Sequence, residues 1–277
     1  MGKAARAILP GRMAKQRPAP KREAATVHLT IFGQSHELAC SVRVGQTTPL
    51  ALLEPARALS DRVTEIAAEH ANDEGKSVTC ERGCAACCRH LIPISAIEAR
   101  SLADLVASMP AEKRARVRAR FASAIARMEA AGMLDPGAPK GRFALTAREP
   151  EASWAHVSRR YFELWVDCPF LEDEACVIYK DRPMACREHQ VTTPPDLCRR
   201  FDEGIEGTAR PVRMSEVLAS TASAVTGIPP TSIPLVLSLE WSEVHGRPLS
   251  SQKDGEAMFW AMLGEIDKDS QTPFDDR

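Results

Sequence analysis

The chain has 277 residues, 44% of them hydrophobic, and a formal net charge of −1 at pH 7. A chain of this length can bury a sizeable core in one or two domains, and a charge near zero gives no general reason to expect nucleic-acid or membrane binding. The sequence has neither the apolar run of about 18 residues that a transmembrane helix needs nor a signal-peptide core near its start. We therefore expect a cytoplasmic protein without a membrane partner.

The first part of the chain predicts a tail followed by a hairpin and a helix. Residues 1–25 are rich in Lys, Arg and Pro, which is typical of a disordered basic arm. Apolar residues alternate with polar ones from 26 to 44, which predicts a β-hairpin with one buried face, and Cys40 falls on that face as a core residue. A helix over 56–72 follows, so we assign 26–77 to a β-hairpin plus helix.

The rest of the chain predicts mostly helices. Ser95 and Glu98 match a capping box that begins a helix running to about Met109. Further helices are expected at about 110–133, 151–165, 214–226, 232–245 and 254–267. Because β-α-β alternation is scarce, the expected fold class is mainly α with small β elements. We assign 201–277 to a helical C-terminal extension.

Eight of the nine cysteines fall into two groups within residues 78–200, which we assign to a metal-binding domain. These groups are Cys80, Cys84, Cys87 and Cys88, and then Cys168, Cys176, Cys186 and Cys198. Clustered thiolates are soft ligands that suit zinc or an iron–sulfur cluster. A disulfide framework is the alternative, but it is typical of short secreted chains. We therefore expect a helical domain organised around a cysteine-ligated metal centre.

The spacing of the first group leaves its geometry open. On a helix, Cys80 and Cys88 would share one face but lie about 12 Å apart along the axis. Metal–sulfur bonds of about 2.3 Å cannot bring both to one ion in that arrangement. Either the segment is not a regular helix, which Gly83 permits, or the ligands are divided between sites or metals.

Four residues beside the cysteines are candidate auxiliary groups. Arg182 and Arg187 could offset the thiolate charge, and His90 and His189 could act as further ligands. With eight thiolates present, we interpret the histidines as non-ligands.

These motifs resemble the YkgJ-type cysteine cluster family, described as a zinc- or iron-chelating domain. The matching motifs are Cys80-x3-Cys84-x2-Cys87-Cys88, Leu91-Ile-Pro-Ile-Ser-Ala-Ile-Glu98, Cys168-Pro-Phe-Leu171, Cys176-Val-Ile-Tyr179, Arg182-Pro183 and Cys186-Arg187. The resemblance covers about 78–200 and implies that seven of the clustered cysteines are metal ligands: Cys80, Cys84, Cys87, Cys88, Cys168, Cys176 and Cys186. Cys198 lies beyond the fixed part of the pattern and completes our set of eight. The chain departs from the pattern at Glu172-Asp-Glu-Ala175, where a turn glycine is common.

We predict a metal-binding protein that holds zinc or an iron–sulfur centre in a structural, metal-handling or redox-sensing role. Its partner is the metal ion, and a protein partner is compatible with the sequence. The alternative is an enzyme related to flagellin lysine N-methylase, a protein methyltransferase with a similar cysteine module. The expected Gly-rich nucleotide-binding turn is not found after a strand, however. Catalysis therefore stays open.

Two further hypotheses have weaker support. The spacing from Cys80 to Cys87 equals that of radical-SAM enzymes, but Ala86 stands where those enzymes usually have an aromatic residue. A nucleic-acid reader would rest on the basic helix at 113–127 alone.

Overall fold

The computed structural model describes residues 21–138, 140–141, 154–201 and 204–270. Within these ranges the protein is mainly helical, with short antiparallel strands, so the predicted fold class is confirmed. The α-helices are α1 Leu53–Asp73, α2 Ala96–Ser108, α3 Ala111–Ala130, α4 Trp154–Glu163, α5 Met184–Glu188, α6 Pro195–Arg200, α7 Met214–Thr226, α8 Ser238–His245 and α9 Gly255–Ser270. None of the helices in this part of the chain has the length and apolarity required to cross a bilayer.

The strands among the described residues form four antiparallel pairs. These are β1 Arg22–Ile31 with β2 Gln34–Arg43, β3 Gln46–Thr47 with β8 Lys253–Asp254, β4 Pro93–Ile94 with β7 Ile233–Pro234, and β5 Leu171–Glu172 with β6 Ala175–Cys176. The pairs β3–β8 and β4–β7 join the early and late parts of the chain. Segments that are distant in sequence are therefore held together by these short pairs.

The N-terminal hairpin is confirmed. Its buried face carries the alternating apolar residues, which are Val27, Ile31, Leu38, Cys40 and Val42. The core position predicted for Cys40 is therefore correct. Strand β1 begins at Arg22, inside the segment assigned to a basic arm, while residues 1–20 lie outside the described ranges.

The predicted helices are largely present, with one clear error. The capping box of α2 is confirmed, because Ser95 Oγ accepts from the Glu98 N–H at 3.2 Å and Glu98 Oε2 accepts from the Ser95 N–H at 2.8 Å. The helix expected over 232–245 begins only at Ser238, after strand β7 and a short 3-10 turn. Pro234 explains the difference, because a proline disfavours the helical conformation of the residue before it.

One large hydrophobic cluster joins most of the elements of the described chain. It contains side chains from the hairpin, from α1 to α3, from the cysteine region, and from α7 to α9. Leu59, Ile97 and Leu218 are fully buried within it. The cysteine region is consequently supported by packing from both ends of the sequence, and the domain boundaries drawn from the sequence stay predictions.

Candidate metal centre

The first cysteine group lies on irregular backbone and not on a regular helix. Gly83 has φ +100°, a conformation that residues with a Cβ rarely adopt, and a short 3-10 helix spans Ala86–Arg89. The spacing of the first cysteine group had left open whether this segment is a regular helix, and the structure shows that it is not. Thr79 anchors the start of this segment, since its N–H donates to the Val191 carbonyl at 2.9 Å. The Val191 N–H in turn donates to Cys80 Sγ at 3.3 Å.

The second group is brought to the first by a tight hairpin. The Cys168 N–H donates to the Cys88 carbonyl at 2.8 Å, which joins the two groups through the backbone. The turn between β5 and β6 consists of Asp173 and Glu174, with φ +50° and +54°. Both residues take the left-handed conformation that glycine usually supplies in such hairpins. The departure from the family pattern therefore leaves the hairpin intact, as Cys176 pairs with Leu171 across it.

Two short helices carry the remaining cysteines. Pro183 precedes α5, and the Cys186 N–H donates to the Pro183 carbonyl at 3.1 Å. Cys198 lies on α6 and is buried. His90 Nε2 lies 2.8 Å from the Cys198 carbonyl oxygen, which connects α6 to the first group.

The thiols converge around Cys87. Burial is the main cause that raises the pKa of five other cysteines, and the charge of Cys87 adds to the increase at each of them: Cys80, Cys168, Cys176, Cys186 and Cys198. The hydrogen bond between the Cys87 and Cys88 side chains lowers the pKa of Cys87 to about 7 and raises that of Cys88. Since such effects act over short distances, the structure brings cysteines from both groups into one region.

Packing separates the thiols into two sets. Cys80, Cys84 and Cys198 pack together in a small apolar cluster of their own. Cys168 and Cys176 instead pack against the main core. Cys88 belongs with the latter, because the charges of Cys168 and Cys186 add to the hydrogen bond and burial that raise its pKa. The adjacent residues Cys87 and Cys88 therefore lie between the two sets.

The chemistry of the donors fits a soft metal. All nine cysteines are free thiols, and eight of them meet in this region while Cys40 lies in the hairpin core. Among the described residues, no set of three or more His, Cys, Asp or Glu side chains already has an arrangement that could hold a metal ion. Thiolates repel one another, so a bound cation would be needed to draw the sulfurs into coordination distance.

The two arginines beside the cysteines have different roles. Arg182 stacks on Tyr179, with its guanidinium carbon 4.3 Å from the ring centre. Its charge also lowers the pKa of Cys80 and Cys176 against the dominant effect of burial. Arg187 does not act on the thiols in this way, because its guanidinium binds Asp61 at 2.6 Å. Of the two arginines proposed to offset thiolate charge, the structure favours Arg182.

The two histidines also differ. His90 is engaged with the Cys198 carbonyl, whereas His189 Nε2 is buried and has no hydrogen-bond partner among the described residues. Burial lowers the pKa of His189 to about 4, which keeps its imidazole neutral. Both histidines line a cavity of about 580 Å³ together with Cys87. His189 therefore carries an unpartnered nitrogen in the cavity that Cys87 also lines.

Sequence reasoning missed two polar contacts that position the centre. Arg89 donates to both carboxylate oxygens of Glu174, at 2.7 and 3.2 Å, and contacts Asp167 at 2.8 Å. This arginine therefore holds the hairpin turn and the residue before Cys168 against the first cysteine group. Glu98, identified from the sequence as a capping residue, also accepts from the Met184 N–H at 2.7 Å. That contact depends on the approach of α5 to α2, which no local motif could reveal.

The geometry defines a thiol-rich domain assembled from four separate segments. Residues 79–204 match the model of a family described as "CxxCxxCC: Putative zinc- or iron-chelating domain". This match confirms the resemblance to a cysteine cluster family over the range that the sequence predicted. No curated protein and no solved structure matches the chain, and nothing in the comparisons supports the methyltransferase alternative.

Proposed function

We propose that the eight cysteines form two metal sites of four thiolates each. The first site consists of Cys80, Cys84, Cys87 and Cys198, and the second of Cys88, Cys168, Cys176 and Cys186. The observation that carries the proposal is the meeting of these eight thiols from distant segments, in two packing environments that join at Cys87 and Cys88. Four thiolates around one ion is a usual arrangement for structural zinc, and four thiolates also hold a single iron–sulfur cluster.

The two sites would have different accessibility. Burial raises the pKa of Cys168 to about 12 and also raises that of Cys186, so these thiols lose their protons only to a strongly bound metal. Cys87 lines the 580 Å³ cavity, and its hydrogen bond with Cys88 lowers its pKa. We therefore assign a structural role to the second site and exchangeable metal handling to the first.

A metal bound at the first site would find additional partners nearby. When bound, it would supply Lewis acidity or electron transfer, depending on its identity. Arg182 offsets part of the negative charge of the thiolates. His189 Nε2, which is buried and unpartnered in the described part of the chain, is a candidate to replace a weakly held thiolate. Metal release and rebinding at this site would therefore not require all four sulfurs to leave together.

The experiment is metal analysis of protein purified without oxygen, together with its visible spectrum. We expect two metal ions per chain in the wild type and one in each of the variants Cys84→Ser and Cys176→Ser. The matched control Cys40→Ser removes a thiol outside the centre and should retain two ions. Absence of metal from the wild type would contradict metal binding itself. Loss of both ions in each variant would instead contradict the division into two sites and indicate one shared centre.

A further inference from the structure

A cavity lined by positive charge lies outside the cysteine centre. It has a volume of about 660 Å³ and is formed by the end of β2, the start of α1 and the segment before α5. Four cationic side chains line it: Arg43, Arg57, Lys180 and Arg187. No cysteine is among its lining residues in the described part of the chain, so any ligand here would be distinct from the proposed metal.

Two of these four cations are neutralised by ion pairs within the protein. Arg57 binds Asp181 at 2.9 Å, and Arg187 binds Asp61 at 2.6 Å. The other carboxylate of the lining, Glu54, is paired at 2.8 Å with an arginine outside the cavity. The acidic groups of the lining are thus already neutralised and leave the remaining positive charges uncompensated.

Arg43 and Lys180 are the uncompensated charges. Within the described residues, neither side chain has a hydrogen-bond or ion-pair partner. They belong to segments far apart in sequence, one on β2 and the other within the 3-10 turn before α5. Two unpaired cations that face one cavity attract a ligand carrying about two negative charges.

The start of α1 adds to this positive field. Leu53 and Glu54, its first residues, line the cavity, and Leu52 supplies no side-chain cap to the helix. The Leu53 N–H already donates to the Leu50 carbonyl, so what the helix contributes is the partial positive charge of its N-terminal end. The hydroxyls of Thr47, Thr48 and Ser101 are also in the lining and can donate to oxyanion oxygens.

We propose that this cavity binds a small phosphorylated molecule, with its phosphoryl group between Arg43 and Lys180. A phosphoryl group carries nearly two negative charges at neutral pH and several acceptor oxygens, which matches the two free cations and the hydroxyls. The volume is within the range of about 300–1,000 Å³ found for small-molecule sites and far exceeds the needs of inorganic phosphate. The organic part would contact Leu50, Ala51 and Leu53.

The test is titration calorimetry on the full chain with glycerol 3-phosphate, in parallel with inorganic phosphate and with chloride at equal ionic strength. We expect saturable binding of glycerol 3-phosphate, weakened about tenfold in each of Arg43→Ala and Lys180→Ala, because each removes one charge-assisted hydrogen bond. Lys113→Ala is the control, since Lys113 lies on α3 outside the cavity, and it should bind as the wild type does.

Each outcome decides the proposal. Binding that is weakened in the two cavity variants but unchanged in the control supports the site. Equal affinity for inorganic phosphate and glycerol 3-phosphate would overturn the organic ligand in favour of free phosphate. Binding that is absent, or unchanged in both cavity variants, would overturn the site itself. Circular dichroism of each variant separates lost binding from lost folding, and none of these results depends on whether the cysteines hold metal.

Discussion

Removal of the Glu98 carboxylate should destabilise both the fold and the metal centre. Glu98 is buried between α2 and α5. One carboxylate oxygen accepts from the Ser95 N–H and hydroxyl, both at 2.8 Å, and the other accepts from the Met184 N–H at 2.7 Å. In Glu98→Ala the two backbone N–H groups lose their acceptors in a buried environment, where water does not easily replace them.

The magnitude follows from these contacts. Each buried donor left unsatisfied costs about 1–3 kcal/mol, so two of them give about 2–6 kcal/mol. Burial raises the pKa of Glu98, against the opposing effect of its hydrogen bonds, so removing the carboxyl also removes part of a desolvation cost. We therefore expect a net loss of about 3 kcal/mol, a large share of the 5–15 kcal/mol that stabilises a typical domain. Glu98→Gln keeps one acceptor oxygen and should lose less.

The assay is equilibrium urea unfolding followed by circular dichroism, with metal content measured on the same samples. Glu112→Ala provides the control, because Glu112 is an exposed acidic residue in the first turn of α3 and should change stability by less than about 0.5 kcal/mol. Since Met184 begins the helix that carries Cys186, Glu98→Ala should also release metal faster from the second site. A Glu98→Ala protein as stable as the control would refute the assigned role of the buried carboxylate.

Three further predictions concern single side chains. Cys40→Ser should lower the unfolding free energy by about 1–3 kcal/mol, because a hydroxyl replaces a buried thiol, and an unchanged urea midpoint would argue against its core position. Leu59→Ala, which removes a fully buried side chain from α1, should cost about 2–5 kcal/mol in the same unfolding assay. Arg182→Gln removes a charge that lowers the pKa of Cys80 and Cys176. Half-maximal metal loading should therefore move to higher pH in a pH titration with a chromophoric chelator, and an unchanged midpoint would contradict the electrostatic role.

Local sequence patterns predicted much of the secondary structure because short-range physics controls it. Alternation of apolar residues defined the hairpin around Cys40, and the capping box of Ser95 and Glu98 defined the start of α2. The prediction of a helix over 232–245 was wrong for its first turns, because this segment contains Pro234 and pairs as a strand with β4. That pairing joins residues about 140 positions apart, and periodicity in a local window cannot detect it.

The cysteine residues by themselves determined the candidate chemistry of this protein. Eight clustered thiols and their order predicted a zinc- or iron-chelating family before any fold was known, because soft metals require such donors at close spacing. Tertiary structure alone decided which thiols pack together. Cys198 joins Cys80 and Cys84, while Cys88 turns towards the second group, since backbone hydrogen bonds and core packing between distant segments fix where each sulfur lies.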